Sequence, residues 1–130
     1  MKPKVLIYAP DNEELVEAIR ALASAWQVKN FDTLGGLLAR AAQPLASQDA
    51  VLLLKINNYA AMETLIRFLA GSLDFEIILL IEPDDFGLAQ TALTARPRMV
   101  FNGRPSPETV AAVLDKMRPR IAERAAMLGG

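Results

Sequence analysis

Five apolar runs alternate with five helix-like stretches along this 130-residue chain, and that alternation restricts the fold more than any motif does. The runs are 5–9, 27–31, 49–54, 77–81 and 99–101. Runs 5–9, 49–54 and 77–81 are continuously apolar, as strands buried on both faces are. Run 27–31 is mixed in polarity, as an edge strand with one wet face is. Between them, apolar residues recur at helical spacing, as in Leu15, Ile19, Leu22, Ala23 and Trp26, or Met62, Leu65, Ile66 and Leu69. The second helix carries Leu34, Leu37, Leu38, Ala41 and Leu45, weakened early by Gly35-Gly36. The fourth, with Leu88, Ala89, Ala92 and Leu93, is short.

Punctuation agrees with this division. Asp11 or Asn12, Asp32 or Thr33, Asn57-Asn58, Asp84-Asp85 and Ser106 supply helix caps, and Pro107 fits the first position of the last helix. Gly71 ends the third helix and Pro97 closes the fourth. Pro119 predicts a kink or an end near Arg118, so 1–118 reads as one domain and 119–130 as a helical extension or tail. The polar run 27–31 belongs at an edge and the three greasy runs inside. With right-handed crossovers, the expected architecture is α/β: a three-layer sandwich around a five-stranded parallel sheet of order 2-1-3-4-5, the flavodoxin-like arrangement.

Composition narrows the chemistry. The chain has no cysteine and no histidine, which excludes disulfides, Cys/His zinc sites and histidine-based triads. Acid–base work would fall to carboxylates, Lys or Tyr. No apolar run approaches the roughly 18 residues of a membrane span. Run 5–9 is also too short for a signal-peptide core, so the expected location is cytoplasmic, with no membrane partner. Charge is uneven: residues 1–95 hold 7 basic and 12 acidic side chains, and residues 96–130 hold 7 basic and 3 acidic. Only Phe101 interleaves with the basic group, which reads as a solvated helix face or a protein contact rather than a nucleic-acid surface.

Three stretches carry a resemblance. Lys4-Val5-Leu6-Ile7-Tyr8, Asp49-Ala50-Val51-Leu52-Leu53 and Phe75-Glu76-Ile77-Ile78-Leu79-Leu80 look like the first, third and fourth strands of a bacterial response-regulator receiver domain. Arg104-Pro105-Ser106-Pro107-Glu108-Thr109-Val110 resembles the entry to its last helix. The likeness spans about residues 3–118 and implies the receiver fold. It also implies a phosphoryl switch: an acceptor Asp after the third strand, an acidic Mg²⁺-binding pair after the first, a Ser/Thr after the fourth and a Lys after the fifth. At those positions this chain has Leu54 (or Lys55), Ala9 and Pro10, Ile81, and Asn102 or Gly103. Asp11 and Glu82 remain as nearby acids. The expectation is a degenerate receiver without an acyl-phosphate acceptor, with no metal and no cofactor, since Mg²⁺ prefers one or two carboxylates plus phosphate oxygens.

Asp11, Lys55 and Glu82 are expected to converge at the C-terminal edge of the sheet, either as a built-in substitute for metal and phosphate or as a plain ion pair. The same edge, with Asn57, Asn58, Tyr59, Asp84, Asp85 and Arg104, is where open parallel sheets bind ligands, so a small-ligand module is the alternative. No glycine-rich phosphate loop supports it. An enzyme using Asp11, Glu82 and Lys55 is a third reading, but no pattern marks an active site and the chain is expected to be non-enzymatic. Resemblance also implies a contact face on the fourth helix, fifth strand and last helix, where Arg96, Arg98, Asp115, Lys116 and Arg118 supply charge. The implied partner there is a signalling protein or a second copy. Trp26 and Met117 read as core.

Overall fold

The computed structural model describes residues 2–43, 49–71 and 75–129, with side chains to residue 124. Its elements follow the order β1 (Lys4–Tyr8), α1 (Glu13–Leu22), β2 (Gln27–Asn30), α2 (Leu34–Ala41), β3 (Ala50–Ile56), α3 (Tyr59–Leu69), β4 (Glu76–Ile81), α4 (Phe86–Ala92), β5 (Met99–Asn102) and α5 (Pro107–Gly129). A single 3-10 turn, Leu93–Ala95, follows α4. The strands form one parallel sheet in the order β2-β1-β3-β4-β5. The expected α/β sandwich of order 2-1-3-4-5 is therefore what forms.

Side-chain alternation sorts the core into two layers. Leu6, Leu52, Leu54, Ile56, Leu79 and Ile81 face α2, α3 and α4. Val5, Ile7, Val51, Leu53, Ile78 and Leu80 face α1 and α5, where Trp26 and Met117 are buried as core. Every residue of β3 and β4 is buried, because both strands are central and covered on both faces. β2 and β5 are the edges, and each has exposed ends and a half-buried middle.

The caps fall on one member of each anticipated pair. Asn12, Thr33, Asn58 and Asp85 accept the N–H groups of Leu15, Gly36, Ala61 and Leu88. Ser106 does the same for Thr109, with Pro107 opening α5. Leu45, expected in the second helix, lies outside the described residues. Of the kink or end anticipated near Arg118, the end does not occur: α5 runs on through Pro119 to Gly129, a helical extension. Pro119 is exposed, so the Asp115 carbonyl it leaves without an amide donor faces the wet side of the helix. Beyond it, Ile121 is buried in the core layer. Arg120 and Arg124 lie 3.4 and 3.2 Å from Oε1 of Glu76, a buried acid that opens β4. Hydrophobic anchoring and a paired acid outweigh the missing hydrogen bond.

Candidate functional site at the C-terminal edge of the sheet

Parallel strands bring the ends of β1, β3, β4 and β5 to one edge, and register fixes the neighbours. Tyr8 pairs with Leu54, Ile56 with Ile81, and Ile81 with Asn102. Leu54 and Ile81 are fully buried in the layer beneath α2–α4. Ala9, just past β1, is buried in the opposite layer. Leu54, Ile81 and Ala9 thus present hydrocarbon to the two core layers.

Beside Leu54, strand alternation turns Lys55 the other way. Its stem is buried, and its Nζ donates to the Pro10 carbonyl oxygen at 2.7 Å. That carbonyl belongs to a tight turn in which Asn12 N–H bonds back to Ala9 O and Asp11 has a φ of 60°. Proline second and a left-handed residue third is the pattern of a type II turn. Asp tolerates the left-handed region better than most residues, and the turn leaves its side chain exposed. Lys55 also lies 3.9 Å from Glu82 Oε1.

Glu82 is the hub of the edge. Arg104 binds the same Oε1, with Nε at 2.8 Å and Nη2 closer still. The hydrogen bond and the charge of Glu82 raise the Arg104 pKa above its ordinary value, so Arg104 stays cationic at any working pH. Oε2 of Glu82 is buried and has no partner among the described residues. Asp11, expected to join Lys55 and Glu82, does not: its side chain makes no hydrogen bond or ion pair among the described residues. The positive φ at Asp11 turns the chain outward, and Arg104 takes the third place.

The ends of β4 and β5 are tied by backbone geometry. Gly103 N–H donates to Ile81 O at 2.8 Å, and Asn102 Oδ1 accepts Asp85 N–H at 2.7 Å, steadying the entry to α4. Gly103 has a φ of +112°, which side-chain-bearing residues rarely adopt. Gly103→Ala is expected to cost about 1–3 kcal/mol in urea denaturation. An unchanged midpoint would show that the loop re-forms without strain.

Sequence reasoning named Lys55, Glu82 and Arg104 but did not join Arg104 to Glu82. The signal was present, since β4 and β5 end level with each other and residues just past 81 and 102 must be neighbours. The Pro10 carbonyl leaves no mark in a sequence. A cavity of about 70 Å³ opens between the starts of α1 and α5, lined by Asn12, Glu14, Leu15, Arg104, Pro105 and Pro107. It is far smaller than the roughly 300 Å³ from which small-molecule sites begin. Among the described residues, no group of three acids is placed to hold a metal ion. No helix among them is long and apolar enough to cross a membrane.

The candidate contact residues are spread along the opposite end of the molecule. Arg96 and Arg98 flank Pro97 between α4 and β5, and Arg96 has a left-handed φ of 52°. Asp115, Lys116 and Arg118 are exposed on α5. None of the five side chains makes a hydrogen bond or ion pair among the described residues.

No family model matches the sequence, and no curated protein matches it significantly. Solved structures do. The BeF3-activated receiver domain of DrrB superposes with a TM-score of 0.70 at 19% identity, covering 95% of this chain and 99% of that one. A CheY-like receiver domain protein from Methanospirillum hungatei JF-1 gives 0.71 at 14% identity over 98% and 99%. A CheY-like protein, TadZ, from Pseudomonas aeruginosa PAO1 gives 0.62 at 20% identity over 93% and 94%. At such identities the likeness is one of fold, and the chain has the CheY-like, flavodoxin-like fold of receiver domains.

Proposed function

We propose that this chain is a signalling module that works without phosphorylation, through protein–protein contacts. The resemblance calls for the acceptor Asp at Leu54 or Lys55, and the observation that carries this reading is the complete burial of Leu54. A carboxylate there would have to displace core, and the neighbouring Lys55 is already held by Pro10 and Glu82. The Lys55–Glu82–Arg104 group supplies fixed charge at the edge where metal and phosphate would otherwise act. Without a covalent event to change them, these groups hold one arrangement, and the output is set by what binds the surface. The contact face is the one formed by α4, β5 and α5, with Arg96, Arg98, Asp115, Lys116 and Arg118 on it.

Incubation with acetyl phosphate and Mg²⁺, followed by intact-mass measurement, is expected to leave the mass unchanged. Gain of one phosphoryl group on an aspartate or glutamate would end this reading.

A further inference from the structure

Pro119 divides α5 into two parts that are held in different ways. It has no N–H, so the Asp115 carbonyl goes without its helical donor, and sharp bends in helices centre on such sites. Before it, Val110, Leu114 and Met117 are buried in the layer that faces α1. Beyond it, Ile121 is the one buried hydrophobic group among the described side chains. The remaining hold is ionic. Nη2 of Arg120 and Nη2 of Arg124 converge on Oε1 of Glu76 at 3.4 and 3.2 Å. The Arg120 side chain is 46% exposed and that of Glu76 11%. Length separates the two parts as well. The 23 residues of α5 extend about 34 Å, against about 20 Å for the six residues of β4. The helix starts at the C-terminal edge of the sheet and meets Glu76 at the opposite edge, so the turns after Arg124 run past the strand that holds them.

We propose that residues 120–129 are a latch hinged at Pro119. In the folded protein they leave the sheet and return as one unit, while residues 107–118 stay packed. A helical piece shorter than about 12 residues is marginal in water, so this one keeps its form through the docking of Ile121 and the Glu76 pairs. Openings below global unfolding arise where buried apolar contacts are few, and one buried isoleucine is few. Opening takes both arginines from above Glu76 and lets water replace them, so no charge is left stranded in the core. The Glu76 charge sets how often the latch opens. Two guanidiniums share one of its oxygens, and without the carboxylate two like charges would face each other across the closed site. The latch lies at the N-terminal edge of the sheet, opposite the Lys55–Glu82–Arg104 group. It gives the chain a second arrangement that requires no covalent change.

The test is amide hydrogen exchange of the whole chain, read residue by residue by NMR. Residues 121–127 are expected to share one protection factor, about tenfold or more below that of residues 111–118. Glu76→Gln should lower it by about fivefold across the whole block, and Arg120→Gln by less in the same direction. Pro119→Ala returns an amide donor to the Asp115 carbonyl and should raise the protection of the block by about tenfold or more. Circular dichroism establishes that each variant is folded. Fraying from the chain end would leave the Glu76 pairs intact. A graded loss of protection toward Gly129, indifferent to Glu76→Gln, therefore overturns the proposal. So does protection of residues 121–124 equal to that of residues 111–118, which would make α5 one cooperative unit. Pro119→Ala without effect on the block removes the hinge, and the proposal with it.

Discussion

Replacing Leu54 by Asp is expected to abolish cooperative folding. Leu54 is fully buried in the cluster with Leu52, Ile56, Leu79 and Leu88. Truncating a core leucine to alanine costs about 2–5 kcal/mol through lost transfer and a residual cavity. A carboxylate in that space adds a desolvation cost of several kcal/mol unless it takes up a proton or reaches a partner. Total stabilities of domains run from about 5 to 15 kcal/mol, so the sum approaches or exceeds what the fold has to lose. Leu54→Met, which conserves volume, should cost under about 1.5 kcal/mol. Urea unfolding of Met, Ala and Asp variants orders the three. An Asp variant within about 1 kcal/mol of the parent would mean that position 54 reaches water. The burial argument for a silent acceptor site would then fall. The expected result also means that one substitution cannot give this chain a phosphorylatable aspartate at position 54.

Lys55→Met carries the second large effect. The substitution keeps most of the buried stem and removes the ammonium. It strands the Pro10 carbonyl, which accepts from Nζ at 2.7 Å, and takes one of two cations from Glu82. A charge-assisted hydrogen bond of this kind contributes about 1.5–3 kcal/mol, and the loss should appear near 2 kcal/mol. The 3.9 Å separation from Glu82 adds less, because the carboxylate keeps Arg104. Arg104→Ala should be nearly silent despite its closer contact with Glu82, since its side chain is mostly exposed and solvent screens the pair. Urea unfolding checks both. A larger loss at Arg104 than at Lys55 would reverse this ranking and place the structural weight of the edge on its exposed side.

Much of the fold was legible because β3 and β4 are apolar at nearly every position, a pattern that only burial on both faces explains. Polar Gln27, Lys29 and Asn30 placed β2 at an edge for the same reason. At Pro119 local propensity left a kink, a stop or a helical extension open, and Ile121 and the Glu76 pairing, both tertiary, carry the helix onward. At the edge, the hydrocarbon at Leu54 and Ile81 could be read directly from residue identity. The approach of Lys55 to Glu82 was legible too, but the Pro10 carbonyl that Lys55 also binds was not, because it is a main-chain oxygen presented by a turn. Asp11 was placed by proximity in the chain, but its positive φ directs it away.

Strand β4 carries a glutamate at its start and another just past its end, and both hold arginines of the segment that contains α5. Glu76 engages Arg120 and Arg124, while Glu82 engages Arg104, three residues before the helix begins. The helix itself is therefore tied to a single central strand at one point, Glu76, while Glu82, through the exposed Arg104, reaches only the loop before it. Sliding the helix lengthwise, or rolling it about its axis, would have to unseat the buried Glu76 from its two arginines.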